Sequence, residues 1–265
     1  MRIDVKDYVR QMKESIKNSS RPGYCKKLLI IQIGNNEASN RYINGKIKDC
    51  ADVGHYAVLA KFPEGVSAGR VRAFLQRERE FYNGIILQEP ANMDESGGLK
   101  KEEVIELISP EQDVDGFKRD SKHNPCTPLG IVNFLKYYLS RGDLKGLSAA
   151  VVGKGKLVGG PLVPMLMAEG ATVISCNSQT ADLGSMTQMA DIVISCTGVP
   201  ALIKKGMLKK GAIVIDAGIA FDEDGKICGD CDKALYDDED VYVTTVPGGV
   251  GLLTRLALLE NLRRA

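Results

Sequence analysis

Apolar runs and amphipathic segments alternate along the chain. Strand-like runs fall at 27–33, 55–61, 84–88, 149–152, 172–176, 191–196, 212–216 and 241–245, and helical patterns at 38–53, 68–80, 101–108, 129–140 and 157–169. This order predicts an α/β fold with mainly parallel sheets. The loop Arg141-Gly142-Asp143-Leu144-Lys145-Gly146 precedes a fresh strand, a glycine-rich turn and a helix, so 129–140 reads as a connector between two domains. No internal repeat or low-complexity stretch interrupts the pattern.

Composition narrows the class. With 265 residues, 44% hydrophobic and 26% charged, the chain is long enough for one large or two modest domains, and disorder or a collagen-like fibre is excluded. Lys+Arg 35 against Asp+Glu 34 leaves a formal net charge of +1, so no nucleic-acid or anionic-membrane partner is expected and any anion must be held locally. The apolar runs fall far short of the ~20 residues that span a bilayer. The first ten residues mix both charge signs and lack the apolar core of a secretory signal, which predicts a cytoplasmic protein. The cysteines number 7, an odd count, and several sit in apolar runs, as reduced thiols packed like small hydrophobes do. Cys228-Gly229-Asp230-Cys231 has redox or metal spacing, yet it lacks a second pair and only His55 and His123 are available, so packing is expected there and no metal. His55, after Gly54, is expected at the surface or at a strand start.

Candidate chemistry begins at Ala149-Ala150-Val151-Val152, which runs into Gly153-Lys154-Gly155-Lys156-Leu157-Val158-Gly159 and then a helix. Glycines between a strand and a helix permit a tight turn and let backbone N–H groups approach a pyrophosphate. The spacing is one residue longer than the common dinucleotide fingerprint, and a turn that merely joins two elements is as frequent. The next strands, ending near Cys176 and at Cys196-Thr197-Gly198, strengthen the ligand reading. An NAD site usually places a carboxylate about 20 residues after the glycines; this chain has Cys176-Asn177-Ser178-Gln179. With no acid there to repel a 2′-phosphate, and Lys154 and Ser178 available to bind it, NADP is the expected cofactor, with NAD as the alternative.

In the helix after the first strand, Ile43, Ile47, Cys50 and Ala51 form a core-facing stripe. Ser39, Tyr42 and Lys46 lie along a second face, which projects a phenol ring and an ammonium group together. On spacing alone this is an ordinary polar flank, with Arg41 and Lys48 as solvated neighbours. Gly84-Ile85-Ile86-Leu87-Gln88 is a strand ending in an amide, and Asp113-Val114-Asp115-Gly116 is an acidic turn; parallel-sheet enzymes place chemistry at such strand ends. Asp113 alone could be a turn cap.

Together Tyr42-Ile43-Asn44-Gly45-Lys46-Ile47-Lys48, Gln88, the Asp113 to Gly116 turn, Pro125-Cys126-Thr127-Pro128, the Gly153 turn, the 211–219 segment and Val246-Pro247-Gly248-Gly249-Val250-Gly251 stand in collinear order over most of the chain. In these motifs the chain resembles the bifunctional methylenetetrahydrofolate dehydrogenase/methenyltetrahydrofolate cyclohydrolase family. The resemblance implies a catalytic folate-binding domain at 1–128 plus 250–265 and a Rossmann-type NADP-binding domain at 129–249. A folate cleft would lie between them, and the final helix, 251–264, would return to the first domain. It implies oxidation of 5,10-methylenetetrahydrofolate to the methenyl form with NADP, then hydrolysis to 10-formyltetrahydrofolate, by a homodimer serving one-carbon metabolism and purine biosynthesis. Carried over by position, Lys46 is the catalytic lysine, Tyr42 stacks on the folate, Gln88 orients the lysine and Asp115 holds the pterin. Pro247, Gly248 and Gly249 line folate and nicotinamide, while Gly153, Lys154, Gly155, Ser178, Thr197, Gly198 and Ile219 match the cofactor contacts.

The chain departs from the family pattern at Glu89-Pro90-Ala91, where Leu-Pro-Leu is usual, and at Gln112, where Lys is usual. It also has a shorter 117–125 stretch, Thr245 and Leu252 in place of prolines, and Lys154-Gly155 in place of Arg-Ser. Two other readings use the same residues: an NADP-dependent Lys/Asp dehydrogenase of shikimate type, which would need a small polar acid pocket, and a folate-binding pseudoenzyme. Retention of Lys46, Gln88 and Asp115 argues against the second.

Overall fold

The computed structural model describes residues 1–19 and 24–265. In chain order the elements are β1 (Arg2–Ile3), α1 (Lys6–Ser19), β2 (Lys27–Ile33), α2 (Glu37–Asp52), β3 (Tyr56–Phe62), α3 (Ala68–Glu78), β4 (Gly84–Gln88), α4 (Lys101–Ile105) and α5 (Cys126–Tyr138). There follow β5 (Ser148–Val152), α6 (Gly159–Ala168), β6 (Thr172–Cys176), α7 (Leu183–Gln188), β7 (Ile192–Ser195), β8 (Ile213–Asp216), β9 (Ala220–Phe221), β10 (Ile227–Cys228), β11 (Tyr242–Thr244) and α8 (Val250–Arg264). Residues 11–126 and 255–265 form one compact unit, and 1–10 and 127–254 form the other.

The first unit is built on a parallel sheet of order β3-β2-β4. Its central strand reads as an unbroken apolar run because both faces are covered; Leu28, Leu29, Ile30 and Ile31 are fully buried. Asn36 starts α2 by accepting the Ser39 N–H, and Ser67 does the same for α3 with Arg70. Helix α3 lays Val71 and Leu75 against Leu29, Ile31 and Ile85; burying each such side chain contributes about 1.5–3 kcal/mol. Gly54, at φ +81°, ends α2 in a conformation that favours glycine. The His55 N–H then bonds back to the Cys50 carbonyl at 2.8 Å. His55 is buried, not at the surface, and β3 starts one residue after it.

The second unit is a six-stranded sheet of order β1-β11-β8-β7-β5-β6, with every pairing parallel. From β5 onward the sheet runs second-first-third-fourth-fifth in chain order, a doubly wound topology. The connections therefore diverge between β5 and β7, and in such sheets ligands bind outside the strand ends at that divergence. Ala150, Val152, Val193, Val214 and Val243 form the core. A short antiparallel pair, β9 and β10, follows β8.

Residues 1–10 cluster with 127–254 because Arg2 and Ile3 pair with Val243 and Thr244 of β11. The Met1 carbonyl accepts the Val243 N–H at 2.9 Å. A two-residue strand among charged neighbours carries no periodicity from which its pairing could be read. Helix α6 begins at Gly159, two residues later than expected, since Gly153 to Val158 form a non-helical turn. Helix α4 ends at Ile105, and the connector α5 starts at Cys126. No helix among the described residues is long and apolar enough to cross a membrane.

Candidate functional site

Within the first unit, α2 and β4 bring Lys46 to Gln88. The Lys46 ammonium donates to Gln88 Oε1 at 3.0 Å and lies 5.0 Å from the centroid of the Tyr42 ring. Gln88 Nε2 donates in turn to the Glu89 carbonyl at 3.1 Å, so the amide is oriented at both ends. Lys46 is only 4% exposed, which overturns the solvated-flank reading for this face, although Arg41 and Lys48 are exposed. A lysine stem packed against an aromatic face and held at its tip is a pre-positioned cation or base. Ser39, two turns before Lys46, is also buried and donates to the Glu89 carbonyl at 3.1 Å, tying α2 to the end of β4.

Asp115 is buried on the turn that follows. Burial pushes its carboxyl above the usual range, the Lys46 charge pulls it back down, and Asp113 pushes it up again. The turn is held on all sides. Gly116 has φ +74°, and a Cβ there would lie 2.5 Å from the Asn124 carbonyl carbon, so only glycine fits. Asp113 accepts the Lys118 N–H at 2.8 Å, the cap that its sequence position allows. Gln112 donates to the Arg79 and Tyr82 carbonyls, both at 2.8 Å, and its own carbonyl accepts the Ile85 N–H of β4. That departure from the family pattern is thus a structural brace. Glu89 is likewise occupied, accepting from Lys101 at 3.0 Å and from the Ala91 N–H at 2.9 Å.

Two supports of this site were not among the expected residues. Asn261, in α8, donates to the carbonyls of Val114 and Asn124, both at 2.9 Å, and so pins the Asp115 turn. Asp49, one turn after Lys46, is buried between Lys13 and Arg255, with Arg255 Nε 2.8 Å from Asp49 Oδ2. Arg255 crosses Gly45 so closely that a Cβ there would lie 1.7 Å from its Nη1. Ala51, expected in the core stripe, is exposed, because one further residue rotates it about 100° off the face of Ile43 and Cys50.

In the second unit the other candidates cluster at the carboxyl ends of the parallel strands. Gly153, at φ +111°, follows β5; a Cβ there would meet the Cys196 carbonyl at 2.8 Å. Gly159 admits the Gly153 carbonyl, 1.9 Å from where its Cβ would be, whereas Gly155 faces open space. The turn is therefore folded tightly at both ends and open at its middle, a shape that lets backbone N–H groups meet a phosphate. Ser178 is exposed in a turn after β6 closed by Asn177, whose side chain accepts the Gln179 N–H at 3.0 Å. Burial raises the Cys176 thiol, and Thr180 and the Lys154 charge act on it in the opposite sense. Thr197 and Gly198 follow β7, and Ile219, 71% exposed, follows β8. After β11, Pro247, Gly248 (φ +101°) and Gly249 form a tight turn into α8, where a Cβ on Gly249 would meet the Thr245 carbonyl at 2.5 Å. All seven cysteines are free. Among the described residues no group of three or more His, Cys, Asp or Glu could hold a metal ion.

A doubly wound sheet with a glycine turn at its divergence, joined in one chain to a unit that buries a lysine beside an amide, an aromatic ring and a carboxylate, defines a two-domain nucleotide-dependent enzyme. Residues 3–115 match the tetrahydrofolate dehydrogenase/cyclohydrolase catalytic domain, and residues 125–265 match the NAD(P)-binding domain of the same family. The chain belongs to the tetrahydrofolate dehydrogenase/cyclohydrolase family. It is 37% identical over 262 residues to the bifunctional protein FolD of Bacillus anthracis, covering 95% of this chain and 90% of the relative. The bifunctional FolD methylenetetrahydrofolate dehydrogenase/cyclohydrolase of Campylobacter jejuni superposes with a TM-score of 0.88 at 33% identity, over 99% of this chain and 97% of the other. The Trypanosoma brucei enzyme, solved with NADP and an inhibitor, superposes with a TM-score of 0.88 at 26% identity, covering 100% of this chain and 96% of the other.

Proposed function

We propose that the protein oxidises methylenetetrahydrofolate to methenyltetrahydrofolate with NADP and hydrolyses the product to 10-formyltetrahydrofolate. Family membership favours this over the shikimate-type alternative. The observation that carries the reading is the Lys46–Gln88 hydrogen bond at 3.0 Å, over the Tyr42 ring and in the unit that buries Asp115. Tyr42 stacks on the flat folate, and Asp115 accepts hydrogen bonds from the pterin amino and ring N–H groups. Bound NADP would supply the hydride acceptor for the methylene carbon, chemistry that asks chiefly for alignment. Gly153, Lys154, Gly155, Ser178, Thr197, Gly198 and Ile219 would hold it, and Pro247, Gly248 and Gly249 would line folate and nicotinamide. The open middle of the Gly153 turn fits a pyrophosphate, and the absence of a carboxylate at 176–179 fits a 2′-phosphate. Water then adds to the methenyl carbon and the ring opens, which requires proton transfer. Lys46, oriented by Gln88, takes a proton from the attacking water and returns it to the departing ring nitrogen, while the remaining hydroxyl proton leaves to solvent as the formyl carbonyl forms.

Cofactor choice tests Lys154 directly. Lys154→Glu should raise the KM for NADP by roughly tenfold or more, the loss of one charge-assisted contact, and leave the KM for NAD little changed. Equal losses for both cofactors in initial-rate assays would remove Lys154 from 2′-phosphate recognition.

The homodimer belongs to the same proposal. Strand β3 is an edge of its sheet, and Tyr56, Val58 and Leu59 on it are 66%, 43% and 37% exposed. Such an edge offers unpaired backbone groups to a second strand, and antiparallel pairing with its own copy makes a closed two-fold contact. Val58→Asp should convert the dimer to a monomer in sedimentation velocity; an unchanged sedimentation coefficient would place the interface elsewhere. The seven unpaired thiols support a reducing, cytoplasmic setting.

A further inference from the structure

Two carboxylates lie fully buried beneath the candidate cofactor turns of the second unit, apart from the groups proposed to meet folate or NADP. Asp216 ends β8, and Asp230 sits inside the Cys228-Gly229-Asp230-Cys231 motif. Asp230 Oδ2 accepts three hydrogen bonds: from Ser195 Oγ at 2.6 Å, the Thr197 N–H at 2.7 Å and Thr197 Oγ1 at 2.9 Å. Thr197 Oγ1 then accepts the Val199 N–H at 3.1 Å, so the whole 195–199 turn hangs on one carboxylate oxygen. Asp216 accepts the N–H groups of Gly218 at 3.1 Å, Asp230 at 3.0 Å and Cys231 at 2.9 Å.

The two acids are interleaved through glycine. A Cβ on Gly218 would lie 1.9 Å from Asp230 Oδ1, and a Cβ on Gly229 would lie 2.1 Å from Asp216 Oδ2. Each acid thus occupies the space that the glycine beside the other leaves open, which is why an Asp-x-Gly and a Gly-Asp recur at these two places. Burial pushes the Asp216 carboxyl up, the N–H donors pull it down, and the Asp230 charge pushes it up again. Asp230 Oδ1 is buried with no hydrogen-bond partner among the described residues. A buried acceptor left unmatched works against folding stability, so stability alone is a poor account of this carboxylate. The Cys228-Gly229-Asp230-Cys231 motif delivers Asp230, and its two cysteines are free and buried.

We infer that Asp230 is a positioning residue for the cofactor: through Ser195 and Thr197 it fixes the turn after β7, and through Gly218 it sets the approach of the Ile219 turn after β8. The inference rests on the assignment of Thr197, Gly198 and Ile219 to the cofactor. Its consequence is a split between the two activities, because hydrolysis of supplied methenyltetrahydrofolate needs no nicotinamide.

The test measures, in the full-length protein, the KM for NADP in dehydrogenation and the hydrolysis rate of preformed methenyltetrahydrofolate. Asp230→Ala should raise the NADP KM by roughly tenfold or more, since three donors lose a charged acceptor, with hydrolysis at the wild-type rate. Asp230→Asn, whose amide oxygen can take the place of Oδ2, should recover most of that loss. Ser195→Ala deletes a single bond and should raise the NADP KM by about threefold without touching hydrolysis; this variant decides the matter if Asp230→Ala does not fold. An unchanged NADP KM in whichever variant folds, or a parallel fall of both activities, would overturn the inference. A wild-type protein inactive in both assays would instead count against the proposed function itself.

Discussion

Lys46→Gln is expected to lower hydrolysis of methenyltetrahydrofolate by ~10²–10⁴-fold, the usual range for loss of a general base, while dehydrogenation persists. Glutamine keeps a polar chain of similar reach but offers no amine to take a proton from water. Its amide can still meet Gln88 at the position where Lys46 now donates at 3.0 Å, so the local packing survives. Hydride transfer depends on how two bound molecules are aligned, and Tyr42, Asp115 and the cofactor turns remain in place to align them. Dehydrogenation should therefore fall by no more than about tenfold, a small part of what orientation supplies. The products of the variant should be reduced cofactor and accumulating methenyltetrahydrofolate. Undiminished enzymatic hydrolysis, after subtraction of the spontaneous reaction, would take Lys46 out of the mechanism.

Asp115→Ala should damage both activities together. Two pterin N–H donors bonded to a carboxylate contribute about 1.5–3 kcal/mol each, so their loss should weaken folate binding by roughly two to four decades. The turn itself should survive, because Asp113, Gly116, Gln112 and Asn261 hold it through groups other than the Asp115 side chain. Burial also fixes the sign of a pH effect. The Asp115 carboxyl of the free protein is pushed above the ordinary carboxylate value, so the ionised form is lost at a higher pH on acidification than an exposed aspartate would show. Folate affinity should fall along that limb, and the limb should vanish in Asp115→Asn. Unchanged folate binding by Asp115→Ala in a fluorescence titration would show that another group holds the pterin.

Much of this arrangement is legible in the amino-acid order. The unbroken aliphatic run of β2 announces a strand covered on both faces, and the strand-glycine-helix order after β5 announces the turn on which a phosphate can rest. The face shared by Tyr42 and Lys46 follows from helical spacing, although only the structure shows that Lys46 is buried. What escapes are features made by distant partners. Asp49 looks like one more charge on a solvated flank until Lys13 and Arg255 reach it from other helices. Asn261 lies in α8 between leucines and charged residues, and nothing local says that its amide serves carbonyls at Val114 and Asn124. The pairing of β1 with β11 spans almost the entire chain length and leaves no periodic trace in two residues. Asp230 was hidden by its own neighbours, because two flanking cysteines draw attention to sulfur when the carboxylate between them makes the contacts.

Whether one chain performs both steps on one folate is read from a product-resolved progress curve. The purified protein is incubated with methylenetetrahydrofolate and NADP, and reduced cofactor, methenyltetrahydrofolate and 10-formyltetrahydrofolate are followed separately. Reduced cofactor and 10-formyltetrahydrofolate should rise together, with methenyltetrahydrofolate staying low, and supplied methenyltetrahydrofolate should be hydrolysed without any cofactor. Reduced cofactor matched by methenyltetrahydrofolate that decays only at its spontaneous rate would contradict the proposed function, as would folate binding with no turnover at all.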